Sequence, residues 1–111
     1  MNSLDRARDK ATCHGDVALA ALLSALAHPA RLKILRYLSR QDACCCGEIV
    51  GQIELAQSTV SQHLKILVDA RLVRYEPANR RSRYSLDRAA LSELSHGVGA
   101  LLSSCCCGDE E

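Results

Sequence analysis

The chain has 111 residues, 14 basic and 13 acidic side chains, a net charge of +1, and only three aromatic rings of the Phe, Trp and Tyr type, all Tyr. A chain this short makes one domain, its core must come from Leu, Ile, Val and Ala, and a modest core favours oligomerisation. The polar start MNSLDRARDKATCHGD lacks the apolar segment of a signal peptide, and the longest apolar stretch, Val17 to Ala27, is about half of a membrane span, so a cytoplasmic protein with no membrane partner is expected.

Residues 1–15 read as a polar arm ending in Cys13 and His14. Asp16 is placed to cap an apolar helix, Val17 to Ala27. His28-Pro29 breaks it, because proline restricts the residue before it and suits the first turn of a new helix. Leu32, Ile34, Leu35 and Leu38 then recur at helical spacing, with Arg31, Lys33, Arg36 and Arg40 mostly outward. Gln41-Asp42-Ala43 reads as a loop. The triplet Cys44-Cys45-Cys46 follows and runs into a short helix, Cys46 to Gln52. A turn at Glu54-Leu55-Ala56 leads to a fourth helix, Gln57 to Ala70, whose apolar face is Val60, Leu64, Leu67 and Val68. Two alternating runs, Leu72 to Glu76 and Arg83 to Leu86, predict strands around a basic turn-rich loop, Pro77 to Ser82. Asp87 can cap a last helix, Arg88 to Leu102. Residues 16–103 form the domain, and residues 104–111 a Cys-rich acidic tail.

Four helices, a hairpin and a fifth helix predict a mainly α (α+β) protein: a winged helix-turn-helix with five helices and a two-stranded β-hairpin wing. The polar face of the fourth helix, Gln57, Ser58, Thr59, Ser61, Gln62, His63 and Lys65, carries hydrogen-bonding groups suited to base edges. Between Gln57 and Tyr84 stand six basic residues against two acidic ones. A local basic stripe counts more for phosphate contact than net charge, so Arg80, Arg81 and Arg83 are the expected wing contacts to double-stranded DNA. The first and last helices are too apolar to be covered by so small a domain, which predicts a homodimer.

Of the seven cysteines, six stand in two runs, Cys44-Cys45-Cys46 and Cys105-Cys106-Cys107. Adjacent cysteines are poor staples, since a disulfide gains most by closing a long loop. They are good soft ligands. Burial as small apolar residues explains a scattered cysteine better than a triplet. A helix start at Cys46 is expected to lower the pKa of that thiol and its neighbours. Asp87 and His96 alone make no tetrahedral zinc site.

Three stretches, Leu26 to Leu35 (LAHPARLKIL), Leu55 to Leu67 (LAQSTVSQHLKIL) and Arg83 to Leu86 (RYSL) with Leu72-Val73 before it, resemble the ArsR/SmtB family of metal- and metalloid-responsive repressors. The resemblance covers nearly all of the chain beyond residue 15. It implies a dimeric winged-helix repressor that leaves its operator when an effector binds. Arsenic-sensing members hold a Cys-x-Cys before the acidic residue of the third helix; Cys45 takes the first of these positions here and Gly47 the second. Other members use an N-terminal cysteine of the partner chain, matched by Cys13, or cysteines near the C-terminus, matched by Cys105, Cys106 and Cys107. Thiolate-rich chemistry points to As(III) or Sb(III) as effector, with Cd(II) or Pb(II) as further candidates and no organic cofactor. Thiol redox or persulfide sensing on the same scaffold is the alternative. A cytosolic thiol enzyme is a third reading, against which stands the lack of a Cys-x-x-Cys beside a βαβ pattern, a phosphate loop or a nucleophile elbow.

Overall fold

The computed structural model describes residues 15–78 and 81–107, and only the backbone for Ala78, Arg81 and Cys107. Helix α1 (Asp16–Leu26) starts at an extended Gly15 that serves as N-cap. Asp16, expected to cap, is instead the first helical residue, where its carboxylate complements the positive end of the helix dipole. Helix α2 (Pro29–Ser39) is capped by His28, whose Nδ1 accepts the Ala30 N–H at 3.0 Å, and Pro29 stands at the first helical position. Its inward residues are Ala30, Ile34 and Leu38, spaced four apart.

Strand β1 (Cys44–Cys45) precedes helix α3 (Cys46–Gln52). Helix α4 (Gln57–Asp69) buries Val60, His63, Leu64 and Leu67 on one stripe. Strands β2 (Val73–Ala78) and β3 (Arg81–Leu86) form the hairpin, and helix α5 (Arg88–Cys107) closes the domain. The sheet is antiparallel in the order β1-β3-β2. The two-stranded wing thus gains a third strand, with Cys44 opposite Tyr84 and Cys45 opposite Arg83. The hairpin is also longer than expected. Pro77 pairs with Ser82 inside it, which proline tolerates because β2 is an edge strand.

The α4–β2 turn follows a Schellman pattern: Leu72 N–H donates to Leu67 O at 3.0 Å and Arg71 N–H to Val68 O at 2.9 Å. Asp87 caps α5 as expected, its Oδ1 accepting from Ala90 N–H at 3.1 Å, while its Oδ2 lies 3.6 Å from Arg74 Nε on the wing. Helix α5 passes the predicted end at Leu102 and includes Cys105 and Cys106, since neither glycine nor proline stands between Leu102 and Gly108. The core gathers Ile34, Leu38, Cys44, Ile49, Val60, Leu64, Leu67 and Leu72, all essentially inaccessible to solvent. Helices α2, α3 and α4 and the sheet surround it, and α1 packs against α5. Among the described residues no single helix is long and apolar enough to cross a membrane.

Candidate nucleic-acid interface and thiol groove

The helical period sorts the residues of α4. Val60, Leu64 and Leu67 face the core, so Gln57, Ser58, Ser61, Gln62 and Lys65 are exposed, and Thr59 is half-buried. Lys65 donates to Asp69 at 3.4 Å across one exposed turn, a pairing worth only a few tenths of a kcal/mol. The first turn of α4 has no side-chain cap, since its N-cap is Ala56. Its leading amides are therefore open to an outside acceptor such as a phosphate oxygen.

His63 departs from the expected polar face. It lies three residues after Val60, on the buried stripe, and is 8% exposed. Its Nδ1 accepts from Arg31 Nε at 3.2 Å, and its ring sits 4.4 Å from that of His28. Burial first, then His28 and Arg31, holds its pKa below the ordinary histidine value. Arg31 also donates through Nη1 to Ser24 O and Ala25 O, both at 3.2 Å. One guanidinium thus ties the end of α1 and the start of α2 to the middle of α4. Arg31 was expected only as an outward charge, and its partners are 6 to 32 residues away, so no local pattern marks it.

On the wing, Arg83 is exposed, Tyr75 and Tyr84 pair across the strands with ring centroids 5.4 Å apart, and Ser82 Oγ donates to Tyr75 Oη at 3.1 Å. Arg80 lies outside the described residues, as does the side chain of Arg81.

The central triplet is divided by its own strand. Successive residues of β1 point to opposite faces. Cys44 is 1% exposed in the core beside the Tyr37 hydroxyl. Burial, reinforced by the Glu48 carboxylate, pushes its thiol up, against the opposing pull of its hydrogen bond with Tyr37. The expectation of a lowered thiol pKa therefore fails at Cys44: its side chain belongs to the apolar interior rather than to the helix start. Cys45 is the N-cap of α3, and its N–H donates to Glu48 Oε1 at 2.9 Å. The Cys45 sulfur faces the amide of Glu48 too, but sulfur is a weak acceptor, so the carboxylate half of this capping box carries most of it. Cys46 is the first residue of α3, and its Sγ lies 3.5 Å from Ser61 Oγ on α4.

Cys45 and Cys46 line one open groove of about 660 Å³ with Gly47, Glu48, Gln57, Ser61, Ser82 and Tyr84. The first turn of α3 forms one side, the N-terminal half of α4 another, and strand β3 the third. Ser82 and Tyr84 could not be assigned to it from sequence, because the β1–β3 pairing that brings them there is long-range. Cys105 and Cys106 are exposed on the last turns of α5, where neighbouring side chains diverge by about 100°. Cys13 and the side chain of Cys107 lie outside the described residues. Among the described residues no three His, Cys, Asp or Glu side chains stand together as a metal site.

The sequence model described as "Bacterial regulatory protein, arsR family" matches residues 28–75, from the cap of α2 into β2. The arsenical resistance operon repressor of Staphylococcus xylosus is 30% identical over 92 residues, 80% of this chain and 88% of that protein. A transcriptional repressor SmtB homolog of a Synechocystis strain is 40% identical over 68 residues, 61% of this chain and 51% of that protein. Among solved structures, the transcriptional repressor BigR of Xylella fastidiosa matches with a TM-score of 0.61 at 27% identity, covering 93% of this chain and 95% of that one. With a winged helix-turn-helix whose fourth helix bears an exposed polar face, these likenesses show that the chain belongs to the ArsR family: it is a DNA-binding transcriptional repressor of the ArsR/SmtB type and not an enzyme.

Proposed function

We propose that the protein is a cytoplasmic homodimer that represses transcription by laying α4 against operator DNA, and that it leaves the operator when As(III) or Sb(III) binds its cysteine thiolates. Gln57, Ser58, Thr59, Ser61 and Gln62 read base edges; Lys65, Arg80, Arg81 and Arg83 meet phosphates. His63 is left out of this set because its ring is committed to Arg31. The observation that carries the effector reading is the groove itself. Two thiols, Cys45 and Cys46, open into it, and Cys46 Sγ lies 3.5 Å from a hydroxyl of the reading helix. Soft trivalent ions favour thiolate ligands, and the cytosol keeps thiols reduced. A pyramidal three-thiolate site takes its first two ligands here and its third from Cys13 or from Cys105, Cys106 or Cys107, of the same chain or the partner. Cd(II) and Pb(II) are further thiophilic candidates. The S. xylosus relative, named an arsenical resistance operon repressor, supports the metalloid reading.

The test selects a duplex from a random-sequence pool with the protein itself, then follows its release by mobility shift under As(III), Sb(III), Cd(II), Zn(II) and peroxide. Release by As(III) or Sb(III) is expected, and Cys45→Ser/Cys46→Ser should bind the duplex and lose that release. Two thiols in the groove rather than three favour a second reading, oxidation by peroxide to a disulfide with loss of water, or conversion to a persulfide by a polysulfide that supplies the sulfane sulfur. Release by peroxide alone, reversed by a reductant, would replace the metalloid reading with it.

A further inference from the structure

We infer that the Cys45–Cys46 groove is itself part of the DNA-facing surface, so that an occupant of its thiols and the sugar–phosphate backbone of the operator exclude one another by direct overlap. The inference rests on α4 being the reading helix. Its geometric basis is the position of the groove, between Gln57 and Ser61 on α4 and Ser82 and Tyr84 on β3, with the two thiols between these walls. A reading helix lies in the major groove, and a wing beside it meets the neighbouring minor groove. One sugar–phosphate strand separates those two grooves of the duplex. It must therefore cross the space between helix and wing, which is the thiol groove.

Contacts inside the groove support this overlap. Ser61 is both a lining residue and an exposed residue of the reading face, and it stands 3.5 Å from Cys46 Sγ. No relay through the protein is needed to connect the thiol with the DNA-facing side. Glu48, the carboxylate of the groove, is held by the Cys45 N–H at 2.9 Å in the first turn of α3, where its charge is offset by the helix amides. The groove is open to solvent beside the two sulfurs, so an added atom or charge on either one stands in the path of the backbone. By contrast Cys44, buried in the core, and Cys105 and Cys106, exposed on α5, line no part of this groove.

The experiment uses the full chain, reduced, and a duplex that the protein has selected from a random pool. Iodoacetamide and iodoacetate each form an S–C bond and expel iodide, leaving adducts of nearly equal size that differ by one negative charge. Saturating duplex is expected to slow alkylation at Cys45 and Cys46 on the order of tenfold or more, while Cys105 and Cys106 react at the same rate as in the free protein, read by peptide mass spectrometry. Carboxymethylated protein should bind the duplex on the order of tenfold more weakly than carbamidomethylated protein, a gap that closes as salt rises. The gap should vanish in Cys45→Ser/Cys46→Ser. Equal reactivity of Cys46 in the free protein and the saturated complex, or equal affinity of the two adducts, would overturn the overlap. If the unmodified protein binds no duplex at any salt, the assignment of α4 as reader fails first, and the overlap with it.

Discussion

Arg71 has a φ of 68°, the one non-glycine residue of the described chain in the left-handed region. It stands at the first position beyond the cap of α4, where the Schellman turn demands that conformation and glycine normally supplies it. Arg71→Gly should therefore stabilise the fold by about 0.5–1 kcal/mol, read as a higher urea midpoint at unchanged m-value. A midpoint that falls would show that the arginine side chain compensates for its backbone. His63 makes the opposite kind of contribution. It accepts a hydrogen bond from Arg31 only while Nδ1 is unprotonated, and His28 and Arg31 both face it. Its folded pKa lies below the unfolded one, so the unfolded chain binds the proton more readily. The stability it supports is fully present above about pH 6.5, the ordinary histidine value, and declines as pH falls below it. Urea midpoints across pH 5 to 8 should show that decline in the native sequence and a flatter profile in His63→Gln; equal slopes would remove His63 as the cause.

At the scale of elements, periodicity located the long helices because they bury stripes at the spacing of three and four residues, as Ala30, Ile34 and Leu38 do on α2 and Val60, Leu64 and Leu67 on α4. Asp87, whose place before the last helix predicts a cap, accepts the Ala90 N–H. What periodicity could not supply is partnership across the chain. Cys44 and Cys45 carry no strand signal of their own; they become a strand because β3, nearly 40 residues later, offers an edge. That pairing turns Cys44 inward and separates it from Cys45 and Cys46, so a triplet that looked like one chemical unit is two. His63 was legible in principle, since the third position after Val60 faces inward on any helix, but its polar character suggested otherwise. The proposed division of labour between helix and wing has a direct test. Gln62→Ala should relax base preference at one or two operator positions, at about 1–3 kcal/mol for a good contact. Arg83→Ala should weaken binding to all sequences alike and flatten the salt dependence. The reverse pattern would exchange the two assignments. Gly47 adds a gain-of-function test. A Cβ built there meets only Cys45 Sγ, at an ordinary 3.9 Å, so Gly47→Cys sets a third thiol beside the groove. Binding of As(III) should tighten, and unchanged affinity would place the third ligand elsewhere.

At the scale of the whole molecule, a single chain leaves large apolar side chains exposed on its first and last helices. Val17 is 87% exposed and Leu23 38% on α1, and Leu101 and Leu102 are 45% and 55% exposed on α5, which packs against α1. Val17, Leu23, Leu101 and Leu102 together give these two adjoining helices exposed apolar surface of the kind that marks an interaction site. A second copy is the occupant we propose, because a two-fold pair would set two reading helices about 34–36 Å apart, on successive major grooves of one duplex face. Joining two half-site contacts makes the second one intramolecular, which raises overall affinity by roughly 10²–10⁴ with no new contact to DNA. Leu101→Glu/Leu102→Glu should therefore sediment as a monomer and lose affinity for a two-half-site duplex by a factor in that range, while its weak binding to a single half-site persists. Sedimentation of the unaltered chain as a monomer at micromolar concentration would sink the dimer, and loss of half-site binding in the variant would show that these leucines support the fold rather than the pairing.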